Sequence, residues 1–105
     1  MDIKKAQTLV DHHLEEIGYK KIETTTEQAF IHLIEETGEV ARAILHKQTK
    51  RNKLATTTDP SNLKDEVADI FWQTLKLAIY LDIDLDAAFK NKYRKNRNKM
   101  KNNNK

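Results

Sequence analysis

The 105-residue chain contains no cysteine. This excludes a disulfide framework and any thiolate metal site. Two glycines and one proline are very few, which suits long helices with few turns. No stretch approaches the roughly 18 apolar residues of a membrane span. No apolar signal-peptide core follows Met1-Asp2-Ile3-Lys4-Lys5, so a cytoplasmic location is the expectation. Residues 90–105 lack acids altogether and carry eight Lys or Arg. The other 89 residues hold 11 basic and 16 acidic side chains, a net of −5. The overall charge of +3 therefore hides an acidic body and a basic tail. Such a tail can contact nucleic acid or a phosphorylated ligand. The length fits one domain, placed at residues 1–98. Residues 99–105 are expected to form a basic, disordered tail, because a polar tract with three Asn buries nothing.

The residues present are organised around Leu33-Ile34-Glu35-Glu36-Thr37-Gly38-Glu39-Val40. Three carboxylates occupy five positions inside an apolar run. On a helix, Glu36 and Glu39 are i and i+3, and Glu35 and Glu39 are i and i+4. Like charges at these spacings repel by a few tenths of a kcal/mol per pair, and a divalent cation with oxygen ligands offsets that repulsion. A second pair, Glu66 and Asp69, sits at i and i+3 within another apolar run. Two helices packed through these faces build a four-carboxylate cage, the logic of metal sites in helix bundles. No Glu-x-x-His pair is present, so a di-iron site is poorly matched. Carboxylates alone suit Mg²⁺ or Mn²⁺.

Glu35-Glu36-Thr37-Gly38-Glu39 followed by Glu66-Val67-Ala68-Asp69 resembles the motif of the MazG-like all-α nucleotide pyrophosphohydrolases. Twenty-six residues separate the two halves. The resemblance runs from about Glu27 to Asn98. It implies an all-α, four-helix MazG-like bundle completed by oligomerisation. It also implies hydrolysis of a nucleoside triphosphate to the monophosphate and pyrophosphate, with a role in nucleotide-pool house-cleaning. Glu36, Glu39, Glu66 and Asp69 then hold Mg²⁺, with Mn²⁺ as a substitute. Glu35 takes a further metal or orients water as general base, which makes Glu35, Glu36 and Glu39 the catalytic set. The family's Lys-x-x-x-Asn-x-x-Arg pattern, directed at substrate phosphates, falls on Lys92, Asn96 and Lys99, with Lys99 standing where the family has Arg.

Read in order, Asp2 caps a first helix from about Ile3 to Ile17, whose apolar stripe is Ile3, Ala6, Leu9, Val10, Leu14 and Ile17. His12 and His13 read as surface or stripe-edge residues. Gly18 ends the helix, and Tyr19 to Thr26 read as a loop. Thr25 and Gln28 fit a capping box for a second helix from about Glu27 to His46. His32 lies four residues before Glu36 on the same face, either bonded to Glu36 or reaching substrate. Gln48 to Asp59 read as a long basic loop, able to close over a triphosphate or to remain disordered. Ser61 caps a third helix running to about Leu81. Its apolar residues go nearly all the way round, so a second subunit must cover one face; a homodimer or homotetramer is expected. Trp72, on the flank of the acidic face, stacks on a nucleobase or packs in the core. Asp84 caps a fourth helix that turns basic from Lys90.

The substrate-binding set is thus His32, Trp72, Lys92 and Asn96, and the expected partner is a nucleoside triphosphate rather than nucleic acid or membrane. The alternative is a small helical nucleic-acid-binding or regulatory protein that uses the basic fourth helix. Its weakness is that it leaves five carboxylates in apolar helices unexplained.

Overall fold

In a computed structural model of the chain, residues 1–49 and 63–103 are described. They form four α-helices: α1 (Ile3–Glu16), α2 (Thr26–Thr49), α3 (Leu63–Tyr80) and α4 (Leu85–Asn103). A 3-10 turn at Tyr19–Lys21 stands inside the expected loop. The fold is all-α, as the sparse glycine and proline imply. No helix among the described residues is long and apolar enough to cross a membrane.

The caps explain the boundaries. The Asp2 carboxylate accepts from the backbone N–H of Lys5 at 2.7 Å and starts α1. Gly18 ends it in the left-handed region, φ 67°, where a side chain is strained. Lys20 reaches back to Asp11 and Glu15 at 3.0 and 2.8 Å, tying the 3-10 turn to α1. At α2 the Thr25 hydroxyl accepts from the Gln28 N–H at 3.1 Å, and the Gln28 side chain accepts from Thr25 N–H at 3.2 Å. This is the reciprocal capping box read from the sequence. α2 runs to Thr49, past the expected end at His46, because Lys47 and Gln48 are good helix formers. The expected Ser61 cap and most of the Gln48–Asp59 loop lie outside the described residues.

α3 ends in a Schellman arrangement. The Ile83 N–H reaches the Ala78 carbonyl at 2.9 Å and the Asp82 N–H reaches Ile79 at 3.1 Å. Asp82 takes φ 56°, which aspartate tolerates better than most residues. Asp84 then caps α4 through the Ala87 N–H at 3.2 Å. α4 stays helical to Asn103, beyond residue 99 where a disordered tail is expected. Lys and Arg are adequate helix formers, and they carry the helix through the Asn-rich stretch.

α2 and α3 pack along each other, α1 covers α3, and α4 packs chiefly on α1. Ala29 and Ala43 are buried on α2, where small side chains let the helices approach closely. Val10, Leu14 and Leu75 form the centre of the core, flanked by Ile3, Ala6, Tyr19, Ile79, Tyr80 and Leu85. Gln7 clamps α1 to the start of α4. Its amide donates to the Ile83 carbonyl at 2.8 Å and accepts from the Leu85 N–H at 3.1 Å.

The bundle does not close on itself. Its radius of gyration is 17.3 Å, against about 13 Å for a compact domain of this length. The all-round apolar character of α3 splits in two. Leu75 and Ala78 are buried, whereas Val67 and Phe71 are 52% and 48% exposed. Phe30, Ile31 and Ile34 on α2 are also exposed.

Candidate functional site

α2 and α3 bring the acidic pairs together. Glu36, Glu39 and Glu66 each offer a carboxylate oxygen, all within 4.8 Å of one another. The three residues are half-buried. No Lys or Arg among the described residues forms an ion pair with them. Burial holds the Glu36 carboxyl above its ordinary value, reinforced by the neighbouring charges of Glu39 and Asp69. Glu66 is raised for the same first reason, burial, and then by Glu39. Oε2 of Glu66 is buried with no hydrogen-bond partner. Clustered carboxylates whose burial and neighbours oppose ionisation of Glu36 and Glu66, with an orphaned buried oxygen beside them, fit a hard divalent cation with oxygen ligands.

Asp69 is exposed and lies outside the three-residue cluster, yet its charge bears on both Glu36 and Glu66. Glu35 is exposed and belongs to a second group with His32 and Glu36, again within 4.8 Å. The Nε2 of His32 is 3.4 Å from Oε1 of Glu36. The i, i+4 relation read from the sequence is therefore a contact.

The other side of His32 meets a buried polar network that sequence reading missed. Lys76 is 1% exposed. Its ammonium lies 2.6 Å from Oε1 of Glu23 and 2.7 Å from Nδ1 of His32. It also stands 4.9 Å over the Tyr19 ring. The Tyr19 hydroxyl donates to Oε2 of Glu23 at 2.9 Å, and the Tyr80 hydroxyl donates to the Glu23 carbonyl. Burial raises the Glu23 carboxyl, but hydrogen bonds from Lys76 and Tyr19 outweigh it and hold the group below its ordinary value. Burial and the Glu23 contact push the Tyr19 hydroxyl up to about 12. The available signal was a lone cation, Lys76, inside Leu75-Lys76-Leu77-Ala78-Ile79. A buried lysine needs a partner, but nothing local pointed to Glu23.

Trp72 lies on the α1 side of α3, where its ring meets His13 edge-on at 5.4 Å between centroids. Both line a cavity of about 150 Å³ with Leu14, Ile17, Tyr19, His32, Gln73 and Lys76. His12 and His13 are exposed, as expected. Lys92 and Asn96 lie along an exposed groove confined to α4, with Lys95, Asn98, Lys99 and Asn102. Among the described residues no hydrogen bond or ion pair joins Lys92 or Asn96 to the carboxylates.

No curated protein and no solved structure gives a significant match to the chain. A family model described as the MazG nucleotide pyrophosphohydrolase domain matches residues 24–103. That span contains both acidic pairs, Glu36 with Glu39 and Glu66 with Asp69.

Proposed function

Because this chain belongs to the MazG nucleotide pyrophosphohydrolase domain family, we propose that it hydrolyses nucleoside triphosphates between the α- and β-phosphates, with Mg²⁺ as cofactor. The products are a nucleoside monophosphate and pyrophosphate, and nucleotide-pool house-cleaning is the role that fits them. The observation that carries this reading is the convergence of Glu36, Glu39 and Glu66 within 4.8 Å, with no Lys or Arg ion pair to balance them among the described residues.

Glu36, Glu39 and Glu66 hold the ion, and Asp69 contributes from the same face of α3. When bound, the ion neutralises phosphate charge, polarises the attacked phosphorus and lowers the pKa of water. Glu35, exposed next to Glu36, orients the attacking water and takes its proton. A bond forms between the water oxygen and the α-phosphorus, and the bond to the α–β bridging oxygen breaks. Pyrophosphate leaves with the electron pair. His32 and Trp72 face the nucleoside end.

The reading includes a homo-oligomer. A second copy covers the exposed apolar residues of α2 and α3. It is also the route by which Lys92 and Asn96, on a helix that packs chiefly on α1, reach the phosphates. The test is a panel of ribo- and deoxyribonucleoside triphosphates with Mg²⁺, scored for pyrophosphate against orthophosphate. Pyrophosphate release abolished by chelator and restored by Mg²⁺ or Mn²⁺ is expected. Orthophosphate release, or turnover undiminished in excess chelator, overturns the proposal.

A further inference from the structure

His32 on α2 stands between two groups, one at each ring nitrogen. Nδ1 lies 2.7 Å from the ammonium of Lys76 on α3, and Nε2 lies 3.4 Å from Oε1 of Glu36. Lys76 follows Asp69 by two helical turns, so the face of α3 that carries Asp69 also carries Lys76. Lys76 is 1% exposed and pairs with Oε1 of Glu23 at 2.6 Å. Stability alone does not account for such a pair, because desolvating each ion is costly and well-packed apolar residues often serve a core as well. What an apolar side chain could not do is donate to Nδ1. Glu23 Oε2 is 3.1 Å from the same nitrogen, but it accepts from the Tyr19 hydroxyl at 2.9 Å. With Nδ1 accepting from Lys76, the ring proton sits on Nε2, on the Glu36 side.

We propose that His32 is a positioning residue for the metal site: backed by Lys76, it presents its Nε2–H to Glu36 and restrains that carboxylate for a divalent cation. The inference rests on the reading of Glu36 as a metal ligand and deepens it. The charges of Glu39 and Asp69 both bear on Glu36. Without a donor, their repulsion turns the Glu36 carboxylate out of the cluster, and an arriving ion must gather it back. An Nε2–H donor opposes that movement. The other tautomer would turn a lone pair toward Glu36 and add to the repulsion. At 3.4 Å the two atoms stand slightly beyond the usual N–H···O range of about 2.7–3.2 Å, and contacts of this kind tighten when a site is filled. Partners that orient a ligand from behind change metal affinity about 10–100-fold.

The probe is Mn²⁺, whose free ion is read by electron paramagnetic resonance, added to the nucleotide-free full chain. Two substitutions divide the histidine into its halves. His32→Asn has its amide near Nδ1, where it meets Lys76 but stops short of Glu36. His32→Gln has its amide near Nε2, where it reaches Glu36. Both leave the Lys76–Glu23 pair in place. His32→Asn is expected to weaken Mn²⁺ binding about tenfold, and His32→Gln to stay within about threefold of the wild type. Nitrogen NMR of the metal-free wild type at about pH 8, where an ordinary imidazole is neutral, is expected to show His32 protonated on Nε2 alone. His32→Asn binding Mn²⁺ as tightly as the wild type overturns the inference. So does His32→Gln weakened as much as His32→Asn, or an Nδ1–H tautomer in the wild type. A histidine that only contacts the nucleotide predicts a raised KM in both variants with unchanged Mn²⁺ binding, and that pattern also overturns it. In each of these cases Mn²⁺ bound by the wild type leaves the metal reading of the carboxylates standing. Wild-type protein that binds no Mn²⁺ overturns both.

Discussion

Lys76 on α3 places its ammonium 2.7 Å from Nδ1 of His32 on α2, and this contact orients the imidazole. A lysine ammonium donates and cannot accept, so Nδ1 receives the hydrogen bond and the ring proton sits on Nε2. Nε2 is the atom that faces Glu36 Oε1 at 3.4 Å. Glu23 Oε2, 3.1 Å from the same Nδ1, is satisfied instead by the Tyr19 hydroxyl. A buried ion pair thus sets the tautomer of the histidine that lies 3.4 Å from one of the clustered carboxylates, as partners behind ligating groups do in metal sites.

Breaking that pair is expected to be severe. Lys76 and Glu23 have side chains only 1% and 10% exposed. Lys76→Met leaves Glu23 buried and uncompensated, and loss of about 3–5 kcal/mol is expected. Adding Glu23→Gln removes the stranded charge and should recover part of the loss. Urea unfolding of both variants checks this. A single variant within about 1 kcal/mol of the wild type contradicts the assignment.

The pH dependence without metal follows from opposite shifts. Glu36 and Glu66 titrate above the ordinary 4.5. As pH falls from neutrality towards that value, the folded chain takes up protons before the unfolded one does. Metal-free stability therefore rises over that window. Below it, Glu23 reverses the slope: its folded value lies under 4.5, so its contribution is lost as pH falls further. Added Mg²⁺ moves the optimum upward, because ligand carboxylates must be deprotonated. Urea midpoints measured at each pH with and without Mg²⁺ check this. A metal-free midpoint that falls steadily from pH 7 to pH 5 contradicts the sign.

Local signals carried most of the fold. Asp2, the Thr25–Gln28 box and Asp84 are caps that act within four residues, and each occurs where the sequence places it. Glu36 and Glu39 were legible as one face from helical spacing alone. The contact of Glu66 with them was inferred from matching acidic pairs. The Tyr19–Glu23–His32–Lys76–Tyr80 network was not legible, because it joins a loop to two helices across as many as 57 positions of sequence.

The exposed stripe on α3 predicts an assembly. Val67 and Phe71 are i and i+4, on one face, and each is about half exposed. A mass at least twice 12.3 kDa is expected by light scattering. A charge in an apolar subunit contact is strongly disfavoured, so Phe71→Asp should shift the mass toward the monomer. A wild-type monomer at tens of micromolar contradicts the oligomer.

Glu39→Gln separates charge from shape at the centre of the cluster. The change keeps the size of the side chain and removes one negative charge. The charge of Glu39, like that of Asp69, raises both Glu36 and Glu66, and for each Glu39 is the larger of the two, so in its absence both carboxyls ionise more readily. Without metal, fewer like charges face each other, and thermal stability should hold level or rise. With metal, one ligand charge is gone, so the stabilisation gained from added Mg²⁺ shrinks. Turnover should fall by more than the 10–100-fold typical for loss of a partner behind a metal ligand, because Glu39 is proposed as a ligand itself. Thermal melts across a Mg²⁺ titration, with pyrophosphate release on the same preparation, check all three effects together. A structural role alone predicts the reverse pattern: lower metal-free stability and an unchanged Mg²⁺ response. That pattern, with turnover intact, would remove Glu39 from the metal site.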